Sequence, residues 1–218
     1  MNSFYQKAKW IQWSVTIILL LIMVLVMILF TKLILINFLW YFSLILFAPI
    51  IQFCIAPLMK LIGTYEYLSP MMLVFSPKKE HYDLHSGTGF DYLFVMRNVP
   101  AGKATESKLL QYFCEGFLEI IRRIENGELP EGIKVTGTSY FMSERSAQRL
   151  GFKIGKKNWF LISNLYLNII DLFWMYSRSK GKLSIPALNQ AKSIETTGKD
   201  LLPRKEYIEK LHEHLGRQ

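Results

Sequence analysis

IQWSVTIILLLIMVLVMILFTKLILINFLWYFSLILFAPIIQFCIAP, residues 11–57, decides the architecture. These 47 residues hold one charge, Lys32, and no carboxylate. A helix needs about 20 consecutive apolar residues to cross a hydrocarbon core. The stretch is long enough for two crossings, so it predicts a transmembrane hairpin, residues 11–30 and 33–53, turning at Thr31 and Lys32. The apolar run is too long for the core of a signal peptide and has no small-x-small cleavage site, so an uncleaved anchor is expected.

The flanks orient this anchor. Lys7 and Lys9 precede it; Lys60, Lys78 and Lys79 follow it. Basic residues favour the cytoplasmic side, which predicts an integral membrane protein with both flanks of the hairpin in the cytoplasm. Trp10, Trp13, Trp40 and Tyr41 fall near the expected interfaces. Asn37, Pro49 and Gln52 interrupt the second crossing. Polar groups there seek another helix, so they are expected to face the first crossing, a membrane protein partner or a second copy of the chain. A hairpin without acids offers no proton or ion path.

All 17 Asp and Glu of the 218 residues lie after Gly63, against 22 Lys and Arg. The predicted fold class is a membrane-anchored α+β protein. Residues 1–63 form the hairpin, 64–182 a cytosolic mixed α/β domain with a long apolar helix, and 183–218 a polar tail with a short helix from Pro203 to Leu215. Strands are expected at Met71–Phe75, His81–His85, Phe90–Met96 and Ile133–Phe141, with a short one at Phe152–Ile154. Thr105–Glu125 repeats Leu110, Phe113, Cys114, Phe117, Ile121 and Ile124 at three and four, which predicts an amphipathic helix capped by Thr105. Ser143 starts a short helix that Gly151 ends. Cys54 and Cys114 have no paired spacing and read as small buried apolar residues.

Trp159–Tyr176 is apolar almost all round, with Asn164, Asn168 and Asp171 on one narrow stripe. A core helix, an interfacial helix and a third crossing compete, and the first two lead because Asp171 is costly inside a bilayer. Lys156, Lys157, Arg178 and Lys180 flank it, so anionic headgroups are the expected partner, at roughly 1 kcal/mol per basic residue near the surface. The charge after Gly63 is modest and has no basic-aromatic motif, which argues against nucleic acid.

His81, Asp83 and His85 alternate on a strand and project to one face. Two imidazoles and a carboxylate suit a metal or a His–Asp base, but no second cluster completes a metal site, and a solvated strand face is the plainer reading. HSGTGFD lacks the Lys-Ser/Thr ending of a phosphate loop.

The run FVMRNVPAGKATESKLLQYF, residues 94–113, resembles the acetyl-CoA segment of GNAT-type N-acetyltransferases. In that family a strand ends in a glycine-containing loop and a helix whose N-terminus holds the CoA pyrophosphate. Gly102, Lys103 and Ala104 stand at its G-x-A positions, and Leu150, Gly151 and Phe152 are similar to its LGF helix-to-strand ending. The resemblance implies acyl-CoA as substrate, bound at Gly102, Lys103 and Ala104, with His85 and Tyr140 as candidate catalytic groups. Apart from it, no cofactor and no metal is expected. Two functions therefore stand open: an accessory or scaffold module at the membrane surface, and a membrane-tethered GNAT-like acyltransferase.

Overall fold

The computed structural model describes residues 2–139, 142–155, 163 and 165–217. Helix α1, Lys9–Ile36, has 28 residues and a mean hydropathy of 3.1 over its most apolar window. Among the described residues it is the one helix long and apolar enough to cross a membrane. Only 6% of that window is buried by the rest of the chain, so most of its apolar surface has no protein cover.

The helix passes through Thr31 and Lys32, where the sequence predicts a turn. Thr31 Oγ1 donates to the Met27 carbonyl at 2.8 Å, so the helix itself absorbs its polarity. The break comes at Asn37, whose backbone is extended and whose side-chain oxygen accepts from the Leu39 N–H at 2.9 Å. A 3₁₀ stretch, Phe38–Ser43, leads into α2, Leu44–Leu61, of 18 residues with Pro49 and Pro57 inside it. The two helices touch: the rings of Phe30 and Phe47 lie 4.9 Å apart, and Val15 and Leu19 share a cluster with Phe53 and Ala56.

The remaining chain builds one six-stranded sheet in the order β1-β2-β3-β4-β6-β5. β1 (Tyr65–Ser69), β2 (Met72–Lys78) and β3 (His81–Ser86) form an antiparallel meander. β4 (Lys134–Ser139) lies parallel to β3. The crossover between them is α3, Lys103–Glu125. β5 (Lys153–Ile154) and β6 (Lys192–Thr197) complete the sheet, β6 pairing antiparallel with both β4 and β5.

Three sequence expectations change here. Phe90–Met96 is helical, not a strand: a turn at Gly89–Asp91 runs into a wider π-type turn, Tyr92–Met96. Thr88 and Asp91 form a reciprocal capping box that starts a helix, which outweighs the β preference of the aromatics. The segment 183–218 is not a tail. It supplies β6 to the middle of the sheet and α6, Lys205–Gly216, whose Ile208 and Leu215 are buried in the main core. Gly102, not Thr105, caps α3; Thr105 Oγ1 donates back to the Pro100 carbonyl at 2.7 Å.

Other signals hold. The Ser143 oxygen accepts from the Ser146 N–H at the start of α4, Glu144–Arg149. Gly151 follows with φ +83°, and Phe152 drops into the core before β5. The apolar face of α3 meets β2, β4, Phe152 and α6 in that core. Cys54 and Cys114 are buried and free.

Of the stretch Trp159–Tyr176, residues 159–162 and 164 lie outside the described residues. Its described part enters α5, Ile169–Lys180, which has 12 residues. Gln52 of α2 donates its amide to Asn168, so this polar group of the apolar region is satisfied within the chain. Asp171 accepts from the Trp174 indole at 3.1 Å.

Charged groups tie β1 to α3. Arg123 bridges Glu66 and Glu119, and Glu119 also holds Arg122 at 2.7 Å. Hydrogen bonds from Arg122, aided by Arg123, pull the Glu119 carboxyl down to about 2, against its partial burial. A depressed carboxylate adds stability above its unfolded value near 4.3, which is lost as pH falls toward 2. Glu119→Gln is expected to flatten the melting temperature between about pH 4.5 and 2 relative to the parent, as read by a pH series of thermal melts.

Candidate functional site

β3 and β4 pair at His81–Lys134, Tyr82–Val135, Asp83–Thr136 and Leu84–Gly137. The ladder stops there, although each strand continues for two residues, still held on its far side by β2 or β6. The seam therefore opens. A cavity of about 230 Å³ occupies it, at the carboxyl ends of the two parallel strands. Gly137 sits at the last closed rung, where a Cβ would lie 3.3 Å from the Leu84 carbonyl oxygen.

The strands bring polar groups to the cavity, Asp83, His85, Ser86, Thr138 and Ser139, together with the apolar Met72, Leu84 and Ile194. The opposite wall is apolar, with Leu109, Leu110 and Phe113 from α3 and Leu172 and Met175 from α5. Glu106 and Lys180, paired at 3.0 Å, also line it.

Asp83 accepts from His85 Nε2 at 3.0 Å, leaving Nδ1 of the ring away from that bond. Burial works against the Asp83 charge, but hydrogen bonds from His85 and Thr136 outweigh it and hold the carboxyl below its ordinary value. His81 shares its Nε2 with Thr136 Oγ1 at 2.8 Å. So the structure brings His85 and Asp83 together in a hydrogen-bonded pair, and turns His81 aside to Thr136. No group of three or more metal-capable side chains occurs among the described residues.

Gly102, Lys103 and Ala104 are placed elsewhere. Gly102 has φ +91°, and its N–H donates to the Arg178 carbonyl at 2.8 Å. Its nearest neighbour is the backbone of Gly181. The Arg178 guanidinium in turn donates to the carbonyls of Met96 and Val99, both at 2.7 Å. Arg178 therefore locks the loop before α3. The cavity wall begins one turn further on, at Glu106. Tyr140 lies outside the described residues.

Sequence reasoning missed Thr138, Ser139 and the α5 wall. Thr136 and Thr138 carried a signal, the period-two alternation of β4 in register with Asp83 and His85. The α5 wall had none, because nothing local tells a helix which cavity it closes.

A second polar cluster is structural. The Asp91 carboxylate, fully buried, accepts from Asn2 Nδ2 (3.0 Å), the Tyr67 hydroxyl (2.8 Å), and the Thr88 N–H and hydroxyl (both 2.9 Å). Phe4 and Phe90 pack beside it at 5.1 Å. Asp91→Ala leaves these donors without their acceptor at about 1–3 kcal/mol for each buried one. The melting temperature is expected to fall, and residues 2–6 to gain fast hydrogen exchange. Burial raises the Asp91 carboxyl above its ordinary value despite its hydrogen bonds. The folded chain then keeps a proton that the unfolded chain has lost. This contribution is full below the unfolded value near 3.9 and falls as pH rises through the folded value. Asp91→Asn should remove that slope.

The fold and site define a mixed α+β domain with a half-polar cavity at the open end of a parallel strand pair, joined to a long apolar helix. The sequence matches no family model, and comparisons with curated proteins and with solved structures give no match.

Proposed function

We propose that the protein is a membrane-tethered, GNAT-like acyltransferase that uses an acyl-CoA. The observation that carries this reading is the open seam between β3 and β4. Ligands of sheets with helical crossovers bind outside the carboxyl ends of the parallel strands, where the cavity lies. Separated strands present unpaired N–H and C=O groups, and an extended ligand bearing amides pairs with such edges. The pantetheine arm of CoA is a ligand of that kind. Its phosphates would lie toward the first turn of α3, where the helix dipole favours anions and Lys103 is exposed.

In this reading an acceptor amine attacks the thioester carbonyl. His85, oriented by Asp83, takes the proton that the amine loses as the C–N bond forms. The C–S bond breaks, and the departing CoA sulfur takes from His85 the proton that the amine lost. α1 and α2 are both embedded in this reading, as a hairpin with its flanks on the cytoplasmic side.

A second reading, a non-catalytic module at the membrane surface, is favoured by Leu183 and Ile185. They are 84% and 76% exposed in a loop that begins at Lys182.

The test is a thermal melt of the full chain in lipid nanodiscs, with and without acetyl-CoA and octanoyl-CoA. A ligand that binds only the folded state adds about 2.7 kcal/mol at a hundredfold excess over its Kd. A rise in melting temperature with either ligand supports the transferase. No shift with both retires it in favour of the surface module. That module predicts that Leu183→Glu with Ile185→Glu lowers binding of the detergent-freed chain to anionic vesicles.

A further inference from the structure

The cavity is closed on its outer side by α5 and the turn that precedes it. Leu165 and Leu172 both line it. Between them, Asn168 accepts the hydrogen bond from Gln52 of α2. Gln52 stands nine residues before the end of α2 at Leu61, about 14 Å along the helix axis. Next to it, Phe53 meets the Phe90 ring at 5.3 Å, and Phe90 precedes Tyr92, another lining residue. On the outside of the same turn, Tyr166 and Leu167 are exposed. The wall nearest α2 thus has apolar residues toward the cavity and on its exposed side, with the polar Gln52–Asn168 pair between them, and it reaches well along the apolar helix rather than stopping at its end.

We propose that the cavity takes a long-chain amine that enters laterally from the bilayer past Leu165 and Leu172. Its aliphatic chain lies against Leu110, Phe113 and Met175, and its amine lies at the Asp83–His85 pair. An amphiphile of this kind fits a lining that is largely apolar but carries polar groups, Asp83 and His85 among them, along the open strand edges. Its ammonium is complementary to the Asp83 carboxylate, and the neutral amine left when the ammonium gives a proton to solvent is the acceptor for acyl transfer. The proposal rests on the reading that α1 and α2 are embedded. Each methylene that enters the apolar part is expected to raise affinity about fourfold.

The experiment uses the full chain in zwitterionic nanodiscs and a dodecylamine carrying a diazirine near its chain end. After illumination, labelled peptides are mapped by mass spectrometry. Labelling is expected on α1, on 109–117 and on 165–175, and unlabelled dodecylamine should compete at the last two sites only. Leu110→Trp, which fills the cavity, should cut cavity labelling at least tenfold and leave α1 unchanged. Because that change also risks the fold, Leu172→Trp at the mouth is made in parallel, and the variant that keeps the parent's melting temperature is read. Labelling of α1 without competable labelling at the cavity overturns the inference and leaves the embedding intact. A chain unlabelled on α1 overturns the embedding, and the inference with it. Competable labelling in a protein that ignores acyl-CoA upholds the amine site and removes the transferase reading.

Discussion

His85→Ala is expected to slow acyl transfer to an amine by about a hundredfold to ten-thousandfold, the usual contribution of a positioned general base. The physical argument is geometric. His85 stands at the first position beyond the closed β3–β4 ladder and lines the cavity. Asp83 holds one ring nitrogen and so orients the other. Asp83→Asn keeps the shape but replaces a carboxylate with an amide that can offer the ring an N–H. It is expected to lose much of the same rate. Both side chains are about two-fifths exposed, so neither change should move the melting temperature by more than a degree or two. The assay is transfer from octanoyl-CoA to dodecylamine, followed by thiol release. A His85→Ala protein that turns over at the parent rate would exclude this residue as the base. If acyl-CoA binding survives in both variants, the loss belongs to chemistry rather than to the cavity's shape.

Phe152→Ala is expected to destabilise the domain by about 3–5 kcal/mol, the range for emptying a large aromatic site in a core. Phe152 is 1% exposed, and its ring sits 5.2 Å from Phe117 on α3. It joins the face of α3 to the edge formed by α4, β5 and β6, so little can collapse into the space it leaves. For a domain of this size the loss corresponds to roughly 6–20 °C in melting temperature. Phe152→Leu, which keeps most of the volume, should cost much less. Equal melts for the parent and Phe152→Ala would mean that the α4–β5 edge packs otherwise than described. Because Phe152 does not itself line the cavity, transfer by the folded fraction should stay near the parent rate.

Much of the fold was legible in local patterns. The run in α1, the three-and-four spacing in α3, the Ser143 cap, the Gly151 stop and the alternation His81-Asp83-His85 each follow from forces acting within a few residues. The misreadings share one cause. At 90–96, β-prone aromatics lost to the Thr88–Asp91 capping box and to burial around Phe4 and Phe90. At 192–197, a mostly polar strand gains its place from pairing with β4 and β5, which contribute bonds that no local pattern encodes. At residues 31 and 32, one charge and one threonine were too little to break a helix whose neighbours are all apolar.

The candidate site divides the same way. The two-residue period of a strand is enough to put Asp83 and His85 on one face. The cavity beside them depends on β3 and β4 parting after Gly137, on α5 closing the gap, and on Arg178 locking the loop at Gly102. Those contacts join residues some 50 to 100 positions apart. By itself, then, the sequence determined the long apolar helix, the amphipathic crossover helix and the alternation that puts Asp83 and His85 on one face, because these depend on composition and on short periods. Only the tertiary structure decided where the apolar helix ends, that residues 192–216 belong to the domain, and that a cavity opens beside the pair. Those features depend on which distant surfaces bury one another.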